Sequence, residues 1–171
     1  MLLVFLILSV WPALIDAKGQ FNLHVQQANA WLQCRTDVPA GLSDASVIHD
    51  KNYVSFPPFP SLLVLPYVAI AGMQATNTVL VAQLLSALTI ALLLAICREW
   101  QIDAGIAVWA TAGFIFGSAY WQAVYASGGV WNFAHVVSIA CGLLAIYFAK
   151  RTGLGLLARA SQSFCCSSRE R

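Results

Sequence analysis

Charge is what this chain has least of. Only 9% of its 171 residues are Asp, Glu, Lys or Arg, against about 25% in an ordinary soluble domain. From position 52 to position 97 there is no Asp, Glu, Lys, Arg or His at all, and no water-exposed surface can be built from such a stretch. A large net charge is missing too. The formal value is +2, and the basic residues flank apolar runs instead of gathering in a patch, which leaves no basis for a nucleic-acid partner. Cysteine is badly placed for chemistry. Cys97 and Cys141 lie in apolar runs, Cys34 stands alone, and Cys165 and Cys166 are adjacent. With no C-x-x-C spacing and no Cys/His cluster, a disulfide framework, a zinc site and a redox centre all lack support. His24, His49 and His135 are too dispersed to form a metal site.

Apolar residues are what is there: 60% of the sequence, with a mean hydropathy of +0.74. A helix needs roughly 20 apolar residues to cross the hydrocarbon core of a bilayer. Residues 78–97 meet that length without a charge. Residues 104–120 form a shorter second span whose Gly105, Gly113 and Gly117 allow close helix contact. Residues 130–149 form a third, opened by Trp131 and closed by Tyr147, both suited to the interface. The run 2–15 reads as a retained first helix. A cleaved signal is the other reading, against which stand the lack of a preceding positive residue and the lack of a small residue three before a cleavage site. Residues 61–73 are apolar but short and contain Pro66, which predicts a helix lying flat at the membrane face.

These assignments predict an all-α integral membrane fold of about four transmembrane helices, with juxtamembrane helices in the first outer loop. The chain divides into a first helix or signal (1–17), an extracytoplasmic loop (18–76), three spans (77–150) and a cytoplasmic tail (151–171). Arg98 and the pair Lys150 and Arg151 border the spans, and placing both loops in the cytoplasm satisfies the positive-inside rule. Both termini then lie inside and the long loop outside.

Reactive side chains concentrate from Asp16 to Tyr53, nearly all within that loop: Asp16, His24, Arg35, Asp37, Asp44, His49, Asp50, Lys51 and Tyr53. Within it, Phe21, Val25, Ala28 and Leu32 recur at helical spacing, which predicts an amphipathic helix over 20–34 resting on the membrane with Asn22, Gln26, Asn29 and Gln33 toward water. Such a helix can hold a lipid-linked substrate at head-group level, although any loop that meets water is polar. Aromatic residues mark the second outer element, from Tyr120-Trp121 to Trp131-Asn132-Phe133-Ala134-His135, as an interfacial belt. His135 stands out there, because an ionisable group about one turn inside a span is costly unless it faces the bundle interior or a polar cavity.

The run His49-Asp50-Lys51-Asn52-Tyr53-Val54-Ser55-Phe56-Pro57-Pro58-Phe59-Pro60-Ser61, continuing through Leu62-Leu63-Val64-Leu65-Pro66, resembles the signature of bacterial polytopic glycosyltransferases of the GT-C superfamily. These are similar to protein O-mannosyltransferases and the aminoarabinose transferase of lipid A. Residues 22–35 resemble the family's first outer-loop helix, and residues 113–135, with Trp121, Gly129-Val130-Trp131 and Ala134-His135, resemble the segment around its second outer loop. The resemblance covers most of 20–150. It implies transfer of a sugar from a polyprenyl-phosphate carrier on the outer face of the bacterial inner (cytoplasmic) membrane, with membrane lipid and the lipid-linked sugar as partners. It names no obligatory cofactor and leaves a divalent metal open.

Where family members commonly carry an early acidic base, this sequence offers Asp16, or Asn22 and His24, so the base stays unassigned. Asp16, His24 and Asp50 are the catalytic candidates, and Lys51, Tyr53 and His135 the substrate-binding ones. The family also runs to several hundred residues. Here the pattern stops near Leu157 and gives way to a Ser/Arg-rich end with Cys165 and Cys166. That change predicts a frameshifted or truncated N-terminal part that is inactive alone; a native tail with a palmitoylated Cys pair is the alternative. The competing functional class is a small non-enzymatic membrane protein: a scaffold, an assembly factor or a transporter subunit.

Overall fold

The helices begin where the sequence supplies a side chain to cap them. In the computed structural model, which describes residues 22–39 and 44–152, the order is α1 (Leu23–Leu32), β1 (Ala45–Ile48), β2 (Lys51–Val54), α2 (Phe59–Ala71), α3 (Thr78–Glu99), α4 (Ala104–Gly117), α5 (Tyr120–Tyr125) and α6 (Val130–Arg151). Asn77 Oδ1 accepts from the Val79 and Leu80 amides at 3.0 and 3.2 Å and so starts α3. Asp103 Oδ1 starts α4 in the same way, at 2.8 Å from the Gly105 amide. Each cap satisfies donors that the first helical turn leaves without a partner. α3 stops at a left-handed residue, Gln101 (φ 55°), behind which the Ile102 amide bonds back to the Cys97 carbonyl at 3.0 Å.

α3 and α6 have 22 residues each and are long and apolar enough to cross a membrane. Of their apolar stretches, 39% and 22% are buried. α3 buries polar residues beside apolar ones, and α6 buries Phe133, Val136, Val137 and Ala140. α3 turns Gln83, Ser86 and Thr89 inward and exposes Leu84 and Leu88, while α6 exposes Leu144, Ile146 and Phe148. That inverts the distribution water imposes.

The span expected over 104–120 differs. α4 alone is about 21 Å long, short of the roughly 30 Å hydrocarbon core. It breaks at Ser118, whose hydroxyl donates to the Phe114 carbonyl at 2.6 Å and accepts from the Tyr120 amide at 3.1 Å. α5 then follows, packed against α3 and α6. Its Tyr120 hydroxyl donates to Thr89 Oγ1 at 3.0 Å, halfway along α3. At its far end the Thr78 hydroxyl donates to the Ser127 carbonyl at 2.8 Å, at the head of α3. Tyr120 is therefore a buried residue packed beside α3 and not a ring at the interface. The fourth expected helix, 2–15, and the tail from 153 lie outside the described residues.

α1 and α2 pack together at the end where α3 and α6 begin, opposite the end that carries Arg98, Lys150 and Arg151. α2 is a 13-residue helix that accommodates Pro60 in its first turn and Pro66 within, and stops at Gly72 (φ 81°). Helix α1 was expected to turn Asn22, Gln26, Asn29 and Gln33 to water; Gln33 is exposed and Asn29 half-buried, but the first part of that face is covered. Asn22, His24, Gln26 and Gln27 are buried and Leu32 is exposed. The cause is α2, which covers α1 and supplies hydrogen-bond partners to its polar side. An all-α fold also leaves out the antiparallel hairpin of β1 and β2, closed by the pair Ile48↔Lys51. Both loop residues, His49 (φ 49°) and Asp50 (φ 60°), are left-handed, a type I′ turn matched to the twist of the strands. The core runs from Val25 and Ala28 of α1 through Val64 and Val68 of α2 to Ala82, Ile115, Val124, Phe133 and Val136 of the long bundle.

Candidate functional site at the head of the bundle

Three helices begin at one place. Asn22 Oδ1 caps α1 through the His24 amide at 2.9 Å, and its Nδ2 donates to the Gly128 carbonyl at 3.1 Å, just before α6. Thr78, the first residue of α3, bonds the neighbouring Ser127 carbonyl. The starts of α1, α3 and α6 thus meet around 127–129. None of the three carries an acidic residue in its first turn.

His24 lies at the centre of this junction and is fully buried. His24 and Gln27 are three apart on α1 and so share a face, opposite Ser61 in the first turn of α2. The Ser61 hydroxyl donates to Gln27 Oε1 at 2.6 Å. With its single proton committed there, Ser61 Oγ can only accept at the 3.1 Å contact with His24 Nδ1. The ring therefore carries its proton on Nδ1, and Nε2 keeps a lone pair, buried without a hydrogen-bond partner. Burial lowers the ring's pKa to about 4, and the nearby Val130 backbone opposes this only in part. His24 is a neutral imidazole at any physiological pH. Phe56 and Phe133 flank it at 6.0 Å between ring centroids, and Phe56 meets Trp131 edge-on at 4.7 Å.

The direction of the hydrogen bonds decides what this group can do. In a nucleophile–base pair the histidine accepts the hydroxyl proton. Here it donates to Ser61 instead, so the pair does not activate Ser61.

The other sequence candidates are not gathered there. Asp50 and Lys51 are exposed at the hairpin turn, and Tyr53 is half-buried on β2 opposite Ser46. His135 is exposed on α6, turned away from the Phe133, Val136 and Val137 side that packs into the bundle. This departs from the inward placement expected for an ionisable residue in a span. Asp16 lies outside the described residues. Among the described residues no three His, Cys, Asp or Glu side chains come together. Arg35 and Asp37 form an exposed pair at 2.7 Å, and that contact holds the Asp37 carboxyl below its ordinary range. Sequence reading missed Ser61 and Gln27. The available signal was that Ser61 is the one Ser or Thr between positions 56 and 75.

Compared with protein-family models, curated proteins and solved structures, the chain matches none.

Proposed function

We propose that this chain is the N-terminal part of a membrane-embedded glycosyltransferase of the GT-C type, which moves a sugar from a polyprenyl-phosphate carrier on the outer face of the inner membrane. In this reading α3, the broken α4–α5 helix and α6 cross the bilayer. The hairpin, α1 and α2 lie on the outer face, and Arg98, Lys150 and Arg151 sit in the cytoplasm. The observation that carries the membrane part is the inverted surface, with Leu84, Leu88, Ile106, Trp109 and Phe148 outside and Gln83, Ser86 and Thr89 inside. The transferase part rests on the run from His49 to Pro66. Its prolines lead into α2, and so set Ser61 against His24 at the head of the bundle.

The test is to translate the other frames after Ala158 and, where one encodes apolar helices, to measure transfer of a radiolabelled sugar from polyprenyl phosphate by membranes containing the chain joined to them. Activity that needs the joined form supports the reading. No such frame, or activity indifferent to Asp16→Ala and Asp50→Ala together, refutes the transferase assignment as drawn. A scaffold is the second reading, favoured by the sealing of His24, Ser61 and Gln27 between α1 and α2. A scaffold would respond to substitutions on helix faces and not to those in the hairpin.

A further inference from the structure

His135 has a requirement that the described residues do not fill. It stands five positions past Val130, about 7.5 Å below the start of α6, and is exposed on the side away from Phe133, Val136 and Val137. No hydrogen bond or ion pair from the described residues reaches it. An ionisable residue inside a span almost always faces a partner or the bundle interior, so an outward His135 marks a face that something else covers. That face continues below it. Ser138, Gly142, Ala145 and Ala149 follow at three- and four-residue spacing, none of them buried, and a Cβ at Gly142 would meet nothing within 4 Å. Small residues in such a line let a second helix approach closely in a membrane.

We propose that this face of α6 is the seat of the chain's own N-terminal run, residues 2–16, laid antiparallel along it with the Asp16 carboxylate accepting a hydrogen bond from His135. The inference rests on the membrane part of the proposed function and not on the transferase part. Charge complementarity selects the segment. The chain has seven acidic residues. Glu99 and Asp103 stand at the opposite end of the bundle, and Glu170 follows the end of α6 in sequence. Asp37 is paired with Arg35, and Asp44 and Asp50 are exposed before and after β1. Asp16 alone closes an apolar run in the part of the chain that leads to the head of α6. Either protonation state of the His135 ring carries an N–H for it. The place where the run ends agrees. Asn22 is held 3.1 Å from the Gly128 carbonyl, just above α6. Asp16 precedes Asn22 by six positions, a reach of up to about 20 Å that includes His135. Length agrees as well. As a helix, residues 2–15 extend about 21 Å, and α6 from His135 to Ala149 extends about as far. With Asp16 level with His135, Leu6, Val10 and Ala13 fall opposite Ala145, Cys141 and Ser138, so that bulk in the run meets small residues on α6.

The test is oxidative cross-linking of the full chain in membranes, with Cys34, Cys97, Cys165 and Cys166 changed to Ala and Cys141 kept. On oxidation with copper phenanthroline, Val10→Cys should form a disulfide with Cys141 within one chain. Val10→Cys combined with Cys141→Ala and Leu88→Cys should not, although Leu88 lies exposed at a similar depth on α3. With Cys141→Ala, the pairs Leu6→Cys with Ala145→Cys and Ala13→Cys with Ser138→Cys repeat the measurement should one variant fail to fold. Asp16→Ala and His135→Ala should each lower the yield, and the two together no further than either alone; a yield indifferent to both overturns the pairing. A disulfide joining two chains at Cys141 assigns the face to a second copy and overturns the inference. No disulfide at any of the three positions leaves the face to lipid and overturns it, as does loss of residues 1–17 from the mature chain, read from its intact mass. Alkaline carbonate extraction of the same membranes keeps the two readings apart. Chain that stays in the pellet without cross-linking overturns the docking alone, whereas chain released into the supernatant overturns the membrane reading beneath it.

Discussion

Acidification should release α1 from α2, and the size of the effect follows from His24. The ring is fully buried, donates from Nδ1 to Ser61, and has its pKa lowered from 6.5 to about 4. The folded state therefore binds fewer protons than the unfolded state between these values. Stability is constant above pH 6.5 and falls as the pH drops toward 4, by about 1.4 kcal/mol per unit. Over the whole window the loss approaches about 3 kcal/mol, a large share of a typical net stability. No neighbour compensates the charge. α2 has no ionisable Asp, Glu, Lys, Arg or His, and His24 is the sole such group on α1. On α6, His135 points outward, while Lys150 and Arg151 stand at the far end.

The assay is thermal unfolding of the chain in maltoside micelles from pH 8 to pH 4. The wild type should be level to about pH 6.5 and then decline. His24→Asn, which keeps a donor near the Nδ1 position, should stay level to about pH 4. Parallel declines in the two proteins would refute the reasoning. The Arg35–Asp37 pair does not confuse the result, because a carboxyl held below its usual range loses its contribution only under more acidic conditions.

Further outcomes follow from the same geometry. Ser61→Ala strands both His24 Nδ1 and Gln27 Oε1 and should destabilise by about 2–4 kcal/mol in the same unfolding assay; Ser61→Thr, which keeps the hydroxyl, should cost less. Tyr120→Phe removes a buried hydrogen bond to Thr89 and should lower stability by about 1 kcal/mol. No loss would mean that α5 does not lie along α3 as described. Asp50→Gly suits the left-handed turn position and should leave the hairpin as stable or slightly more so. If sugar transfer nevertheless falls, Asp50 acts chemically as well as in the turn. A membrane-impermeant maleimide added to intact cells should label exposed Cys34 and spare Cys97, which lies beside Arg98; labelling of Cys97 alone would invert the orientation.

The long apolar helices were legible because hydropathy and length need no knowledge of neighbours. Residues 78–97 and 130–149 became α3 and α6 with their ends little moved. What the sequence could not show was which way a polar side chain turns. Reading Asn22 as part of a wet face assumes that water is its best partner, and here the Gly128 carbonyl is a better one. The hairpin escaped for a local reason. Val47 and Ile48 on one side and Tyr53 and Val54 on the other are good strand formers, but the turn between them has no glycine. His49 and Asp50 reach the same left-handed geometry at some conformational cost, and the usual two-residue signal is silent. The break at Ser118 was hidden for a related reason. A helix dipeptide of Gly117 and Ser118 reads as a tolerated weakness until Tyr120 finds Thr89, and the partner lies 31 positions away. Apart from the hairpin, these misses involve polar groups whose partners are distant in sequence. It follows that the least legible part of this protein is the head of the bundle, where Asn22 reaches Gly128 across 106 positions and where the proposed chemistry lies.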